Sequence, residues 1–254
     1  MKKLFFVASF LIVVLMASMV MANQVRFVSG YGPYQTGSGG EFTVAPSPGL
    51  QWVLNSYVED VTKNVVAGST GWLYNFQTFC LEGAETINAN TTYDVILNTR
   101  AVYGGVGSGG DPLSVGAAWL YHEFQITGDF DGHATYNFTG TEAQREASAN
   151  SLQRAFWWLE GEMSIGYSAS NPFMLAVVTK FDTEAKAKWD NDGTYGKYPV
   201  MVLNLYTVGH AGDPAYRKQD QLVCVPAVPE PATMLLLGSG LIGLAGFARK
   251  KFKK

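Results

Sequence analysis

Hydrophobic positions fall into three regimes along the 254 residues. At the N-terminus Lys2 and Lys3 precede a run from Leu4 to Met16 that is apolar but for Ser9, and small residues follow at Val20 and Ala22. That order predicts a secretory signal peptide over 1–22, cut after Ala22 and set apart from the fold. From 23 to 225 apolar residues come in short runs broken by Gly, Asn, Asp and Pro. At the far end about seventeen uncharged residues, Ala232 to Ala248, just reach the length of a membrane-spanning helix.

The middle regime mixes two periods. Short runs predict strands: an edge strand within Asn23–Gly49, then Gln51–Tyr57, Asn75–Glu82, Tyr93–Asn98, Val200–Thr207 and Gln219–Val225. A turn falls at Gly68–Gly71. In Asn75–Glu82 the side chains of Phe76, Thr78, Cys80 and Glu82 share one face, with Gln77, Phe79 and Leu81 on the other. Between these runs the spacing changes to that of helices. Asp111-Pro112 opens one, with Ser114 as its cap and Ala117, Leu120, Tyr121 and Phe124 on one stripe. A second starts at Thr139 or Thr141 and ends at Gly161. Its core stripe is Leu152, Ala155, Phe156 and Leu159, with Gln153, Trp157 and Glu160 on the adjacent face. A third covers Met174–Trp189. Strands flanking a helical block predict an α+β fold, a β-rich exported domain over 23–225 with an inserted helical block.

Charge sharpens this picture. Leaving out the two signal lysines and the five cations past the apolar span removes 7 of the 18 Lys and Arg, so 11 remain against 21 Asp and Glu. The remainder carries about −10, which excludes the electrostatic footprint of a nucleic-acid binder. The five glycines of Gly104–Gly110 lack the Gly-Lys-Ser/Thr ending of a phosphate loop and precede Asp111, so they read as a plain loop.

The two cysteines, Cys80 and Cys224, allow one disulfide in an exported chain. Closing so long a loop would stabilise the fold by roughly 4–5 kcal/mol.

The C-terminal region, 226–254, has three parts in fixed order: Val228-Pro229-Glu230-Pro231-Ala232-Thr233, the apolar span to Ala248, and Arg249-Lys250-Lys251-Phe252-Lys253-Lys254. The cations beyond the span stop transfer and keep the C-terminus on the cytoplasmic side. These residues resemble the PEP-CTERM sorting signal of Gram-negative bacteria that make exopolysaccharide. The resemblance implies recognition by exosortase, a transient stay in the inner membrane, cleavage near Pro229-Glu230-Pro231, and delivery to the envelope or outside.

A second resemblance lies in the body. Phe79-Cys80-Leu81-Glu82 and Leu152-Gln153-Arg154-Ala155-Phe156-Trp157 are similar to the two halves of the thioester domains of surface adhesins, with Phe156 in place of the usual aliphatic residue. The resemblance implies an internal thioester between Cys80 and Gln153, shielded by Phe79, Trp157 and Trp158. A disulfide from Cys80 to Cys224 is the competing fate of the same thiol. Activating the thiol needs a cationic or dipolar neighbour, for which His122 and His133 are candidates.

Other chemistry is thinly supported. Asp129-Phe-Asp131-Gly132 and Asp190-Asn-Asp192-Gly193 lack the first and closing ligands of calcium loops. Glu160 and Glu162 flank Gly161 without showing the opposed placement a glycosidase needs. His122, His133 and His210 have no ligand spacing. No cofactor and no metal is expected. The chain is expected to be a non-enzymatic adhesive or structural protein, with exopolysaccharide or a neighbouring surface as its ligand. The alternative is a non-covalent structural or carbohydrate-binding matrix protein with a Cys80–Cys224 disulfide, and a cysteine hydrolase is the minor enzyme reading.

Overall fold

The computed structural model describes residues 23–28, 35–36, 39–56, 75–102, 110–191 and 197–225. The signal segment 1–22, the turn at Gly68–Gly71, most of the Gly104–Gly110 loop and the sorting region with Pro229, Glu230, Pro231, Arg249, Lys250 and Lys251 lie outside them. Among the described residues no helix is long and apolar enough to cross a membrane.

The strands are β1 (Gln24–Phe27), β2 (Gln35–Thr36), β3 (Gly39–Gly40), β4 (Phe42–Pro46), β5 (Phe76–Thr78), β6 (Thr92–Asn98), β7 (Arg100–Ala101), β8 (Asp111–Pro112), β9 (Val200–Thr207) and β10 (Arg217–Cys224). Six of them form an antiparallel sheet in the order β10-β9-β6-β1-β4-β5. The sheet curls until its edges meet. Past the end of β5 the chain swings to β10: Leu222 N–H donates to the Phe79 carbonyl at 3.1 Å, and Leu81 N–H donates to the Asp220 carbonyl at 3.0 Å. Cys80 sits opposite Gln221 in that bridge. Closure of this kind removes the exposed edges an open sheet would carry.

The helical block is α1 (Val115–Ile126), α2 (Glu142–Leu159), α3 (Pro172–Phe181) and the one-turn α4 (Glu184–Ala187). Ser114 caps α1, its Oγ accepting from Ala117 N–H at 3.2 Å. α1 packs against β9 and β10 on one side and against α2 and α3 on the other, so it is buried nearly all round. β9 is buried on both faces for the same reason. The interior beneath the seam is aromatic: Phe79 lies 5.0 Å from Phe124 and 5.3 Å from Phe156, centroid to centroid.

Several boundaries differ from expectation. Of the strand expected at Gln51–Tyr57, the described part, Gln51–Ser56, is helical instead; a 3₁₀ helix covers Pro48–Ser56, burying Leu50 and Val53 three residues apart. Asp111-Pro112 forms β8 against β7, and α1 starts only after Ser114. The third helix stops at Phe181, because Asp182 takes φ 70°, and Thr183 caps α4 as a separate turn. The last strand begins two residues earlier, at Arg217. Of the two candidate starts for α2, Thr141 is the one used. Its Oγ1 accepts from Gln144 N–H at 3.4 Å, and the Gln144 side chain accepts from Thr141 N–H at 2.9 Å. We predict that Thr141→Ala lowers stability by about 1 kcal/mol in urea titrations; an unchanged midpoint would refute a role for this exposed cap.

Candidate functional site

Cys80 occupies the seam of the closed sheet and is fully buried. Gln153 comes to it from the middle of α2. Its face of α2, expected to lie beside the core stripe, is turned inward against the seam, and Gln153 is 1% exposed. The two residues grip each other in both directions. Gln153 Nε2 donates to the Cys80 carbonyl at 2.7 Å, while Gln153 Oε1 accepts from Cys80 N–H at 3.2 Å. The Cys80 thiol reaches the same oxygen at 3.2 Å. A fourth contact comes from β3, where Gly40 N–H donates to Gln153 Oε1 at 3.2 Å. One carboxamide oxygen therefore faces two backbone N–H groups and a sulfur.

β3 can come this close only because it is glycine. A Cβ on Gly39 would stand 2.7 Å from Trp157 Cη2 and 2.8 Å from Gln153 Cγ. Sequence reasoning passed over Gly39 and Gly40; the available signal was a glycine pair placed just ahead of a strand, a mark of close backbone approach. It also missed the clamp that holds this segment down. Glu41, next in the chain, is fully buried and accepts from Tyr136 Oη at 2.6 Å and Arg145 Nε at 2.9 Å, with Arg145 Nη2 on its other oxygen. Arg145 stands on the first turns of α2. The ion pair thus fastens the end of β3 to the helix that carries Gln153.

Burial pushes the Cys80 thiol well above its ordinary pKa. Its backbone hydrogen bond and the Trp157 indole N–H work in the opposite direction, while Glu82 and Glu162 add to the rise. The Trp157 Nε1 atom is buried without a close hydrogen-bond acceptor, so it is a donor held beside the sulfur and not engaged elsewhere. Outside Gln153 a cleft of about 200 Å³, bounded by Gly39, Trp157, Met163 and Ile165, leads from solvent. Met163 stands at its rim, 51% exposed, with φ 55°.

The remaining site candidates are distributed as follows. Trp157 is buried against the pair and Phe79 packs beneath it on Phe124 and Phe156, whereas Trp158, expected beside the pair, is buried with Tyr167 and Lys188 as its neighbours. Glu82 is buried beside Asp220, accepting from Asp220 N–H at 3.1 Å. Cys224 does not bridge to Cys80: neither cysteine is in a disulfide. Cys80 lies opposite Gln221, three residues from Cys224 on β10, which separates the Cα atoms by about 10 Å, beyond disulfide reach. His122 faces Glu123 and Tyr198, and exposed His133 lies in the turn after Phe130, so neither is drawn to the sulfur. Asp129 caps its own turn through Gly132 N–H, and Asp131 pairs with Lys180 at 2.6 Å. Glu160 accepts from Ser114 Oγ at 2.7 Å, and Glu162 accepts from Gly83 N–H at 3.2 Å. Each is committed to a separate backbone segment.

Residues 227–250 match the PEP-CTERM protein-sorting motif. The match covers about a tenth of the chain and bears on its address, with nothing said of the body. It marks an exported protein whose membrane-anchored precursor is processed by exosortase on the way to the cell envelope. Neither a curated protein nor a solved structure matches the chain.

Proposed function

We propose that this exosortase-sorted protein serves at the envelope or in the extracellular matrix as an adhesive or structural protein, and captures partners through a thioester between Cys80 and Gln153. The observation that carries the reading is the contact of the buried Cys80 sulfur with the Gln153 carboxamide, 3.2 Å from its oxygen. The carbon to be attacked, Cδ, is bonded to that oxygen, so the sulfur needs little further ordering to reach it.

The step balances without a co-reactant. The Cys80 sulfur attacks Cδ of Gln153, the C–N bond breaks, and the thiol proton leaves on ammonia. Negative charge collects on Oε1 during attack, where Gly40 and Cys80 N–H groups already point. Donors so placed act as an oxyanion hole, each worth about 2.7–4 kcal/mol in the transition state. The Cys80 carbonyl holds the departing nitrogen, and the Trp157 indole favours the ionised sulfur. Trp157 and the aromatic packing of Phe79 beneath the seam keep bulk water from the product. An amine or hydroxyl of a partner entering beside Met163 then attacks the thioester carbonyl, giving an amide or ester and returning the thiol. Each chain reacts once, so the protein is a covalent trap and no turnover is required.

Intact mass of the full-length chain tests the reading. The expected mass is lower than that of the sequence by one ammonia, with one methylamine gained on incubation. Cys80→Ala and Gln153→Ala should abolish both changes. A folded protein of full mass that takes up no methylamine would overturn the thioester and leave a non-covalent module in its place.

A further inference from the structure

A second cleft, of about 450 Å³, opens on the helical side of the molecule. Its volume falls in the range of small-molecule sites, about 300–1,000 Å³. Trp189 stands on its edge, 65% exposed, the most exposed of the large apolar side chains among the described residues. The exposure is not slack in the chain. Trp189 N–H donates to the Lys186 carbonyl at 3.3 Å, and the Trp189 carbonyl accepts from Val115 N–H at 2.7 Å. The indole is therefore offered to solvent from a backbone pinned on both sides.

Charge gathers at the same place. Lys180, Lys186 and Lys197, from three separate segments, line the cleft. Lys180 and Lys186 are drawn to Asp131 and Asp182, at 2.6 and 2.8 Å. Lys197 pairs with no carboxylate among the described residues; its ammonium rests over the rings of Phe181 and Tyr198, 5.5 and 5.9 Å from their centroids. Two rings hold a bare cation in position. Asp190, exposed, supplies an acceptor in the lining of the cleft. In a body of about −10, this is where lysines converge.

A flat apolar platform, a fixed ammonium and a lone acceptor fit a ring that has a C–H face, hydroxyls and an anionic substituent. We propose that the Trp189 cleft binds a carboxylated polysaccharide: a uronate ring stacks on Trp189, its carboxylate meets Lys197 and its hydroxyls meet Asp190. The site is separate from Cys80 and Gln153 and does not depend on thioester formation.

The test titrates oligogalacturonate into the full-length chain in detergent and follows tryptophan fluorescence, with a neutral dextran oligomer of equal length as comparison. Oligogalacturonate should bind at least about tenfold more tightly than dextran, and Trp189→Ala and Lys197→Gln should each weaken it about tenfold or more. Both variants should keep the thermal midpoint and the methylamine reactivity of the parent. No binding of oligogalacturonate, equal binding of dextran, or undiminished binding to Trp189→Ala at an unchanged thermal midpoint would overturn the proposal. None of these outcomes bears on the thioester.

Discussion

Glu41→Ala should destabilise the body by about 3–5 kcal/mol, one of the two largest effects we predict. Glu41 is fully buried and the Arg145 side chain is 11% exposed, so removing the carboxylate strands a cation and the Tyr136 hydroxyl with little water to replace the lost partner. The penalty comes from the uncompensated charge more than from the lost attraction, which has a consequence that can be measured. Replacing both partners with apolar residues, Glu41→Leu with Arg145→Met, should cost clearly less than Glu41→Ala alone. Denaturant titration of the three proteins decides the matter. A double variant no more stable than Glu41→Ala would mean that the lost attraction of the pair, and not a stranded charge, sets the penalty, contrary to this account. Because Glu41 follows Gly40 directly, Glu41→Ala should also slow methylamine labelling in whatever fraction stays folded.

That clamp shows where sequence reading stops. Cys80 and Gln153 were legible because each sits in a short pattern with its own period, and the pairing needed only a resemblance between two stretches. Glu41 and Arg145 are 104 residues apart, and neither stretch carries a local mark of the other. Gly39 and Gly40 look like loop residues until the indole of Trp157 is known to lie on them. Curling of the sheet was equally hidden: Leu81 bonds Asp220 only because β5 hands its pairing from β4 to β10. The Pro48–Ser56 segment was misread because an apolar run this short fits strand or helix, and tertiary packing of Leu50 and Val53 made the choice. Elements with strong local signals, such as the Val200–Thr207 strand and the Ser114 cap, stood where the pattern put them. The expected disulfide alternative failed for a reason of register, three residues along one strand, that composition could not reveal.

The other large effect is a loss of stability as pH rises. Three buried carboxyls near the seam and the start of α1 hold their protons abnormally well. Burial raises Glu82 to about 10, Glu160 to about 8 and Asp220 to about 7. The unfolded chain releases these protons near pH 4, as free Asp and Glu do. Above that point the folded state binds more protons than the unfolded state, so stability falls with increasing pH. The stabilising share is fully present below about pH 4 and is lost progressively as pH climbs through 7, 8 and 10. Each retained proton contributes up to about 1.4 kcal/mol per pH unit, so the decline from pH 5 to 9 should reach several kcal/mol. Within the Glu82–Asp220 pair, Glu82 keeps the proton. The Asp220 carboxylate accepts from Val102 N–H at 2.7 Å, Asn204 Nδ2 at 2.8 Å and Leu205 N–H at 3.3 Å, which favour its ionised form. Glu82→Gln, a neutral mimic of the protonated acid, should therefore flatten the curve and stabilise the protein at pH 8, whereas general repulsion among surface acids would leave the slope in place. Glu160→Gln should act in the same direction, since Ser114 Oγ–H can donate to the amide oxygen as it does to the carboxyl. Stability measured by urea titration that stays level or rises from pH 5 to 9 would refute the buried-acid account, and a slope unchanged in Glu82→Gln would remove Glu82 from it.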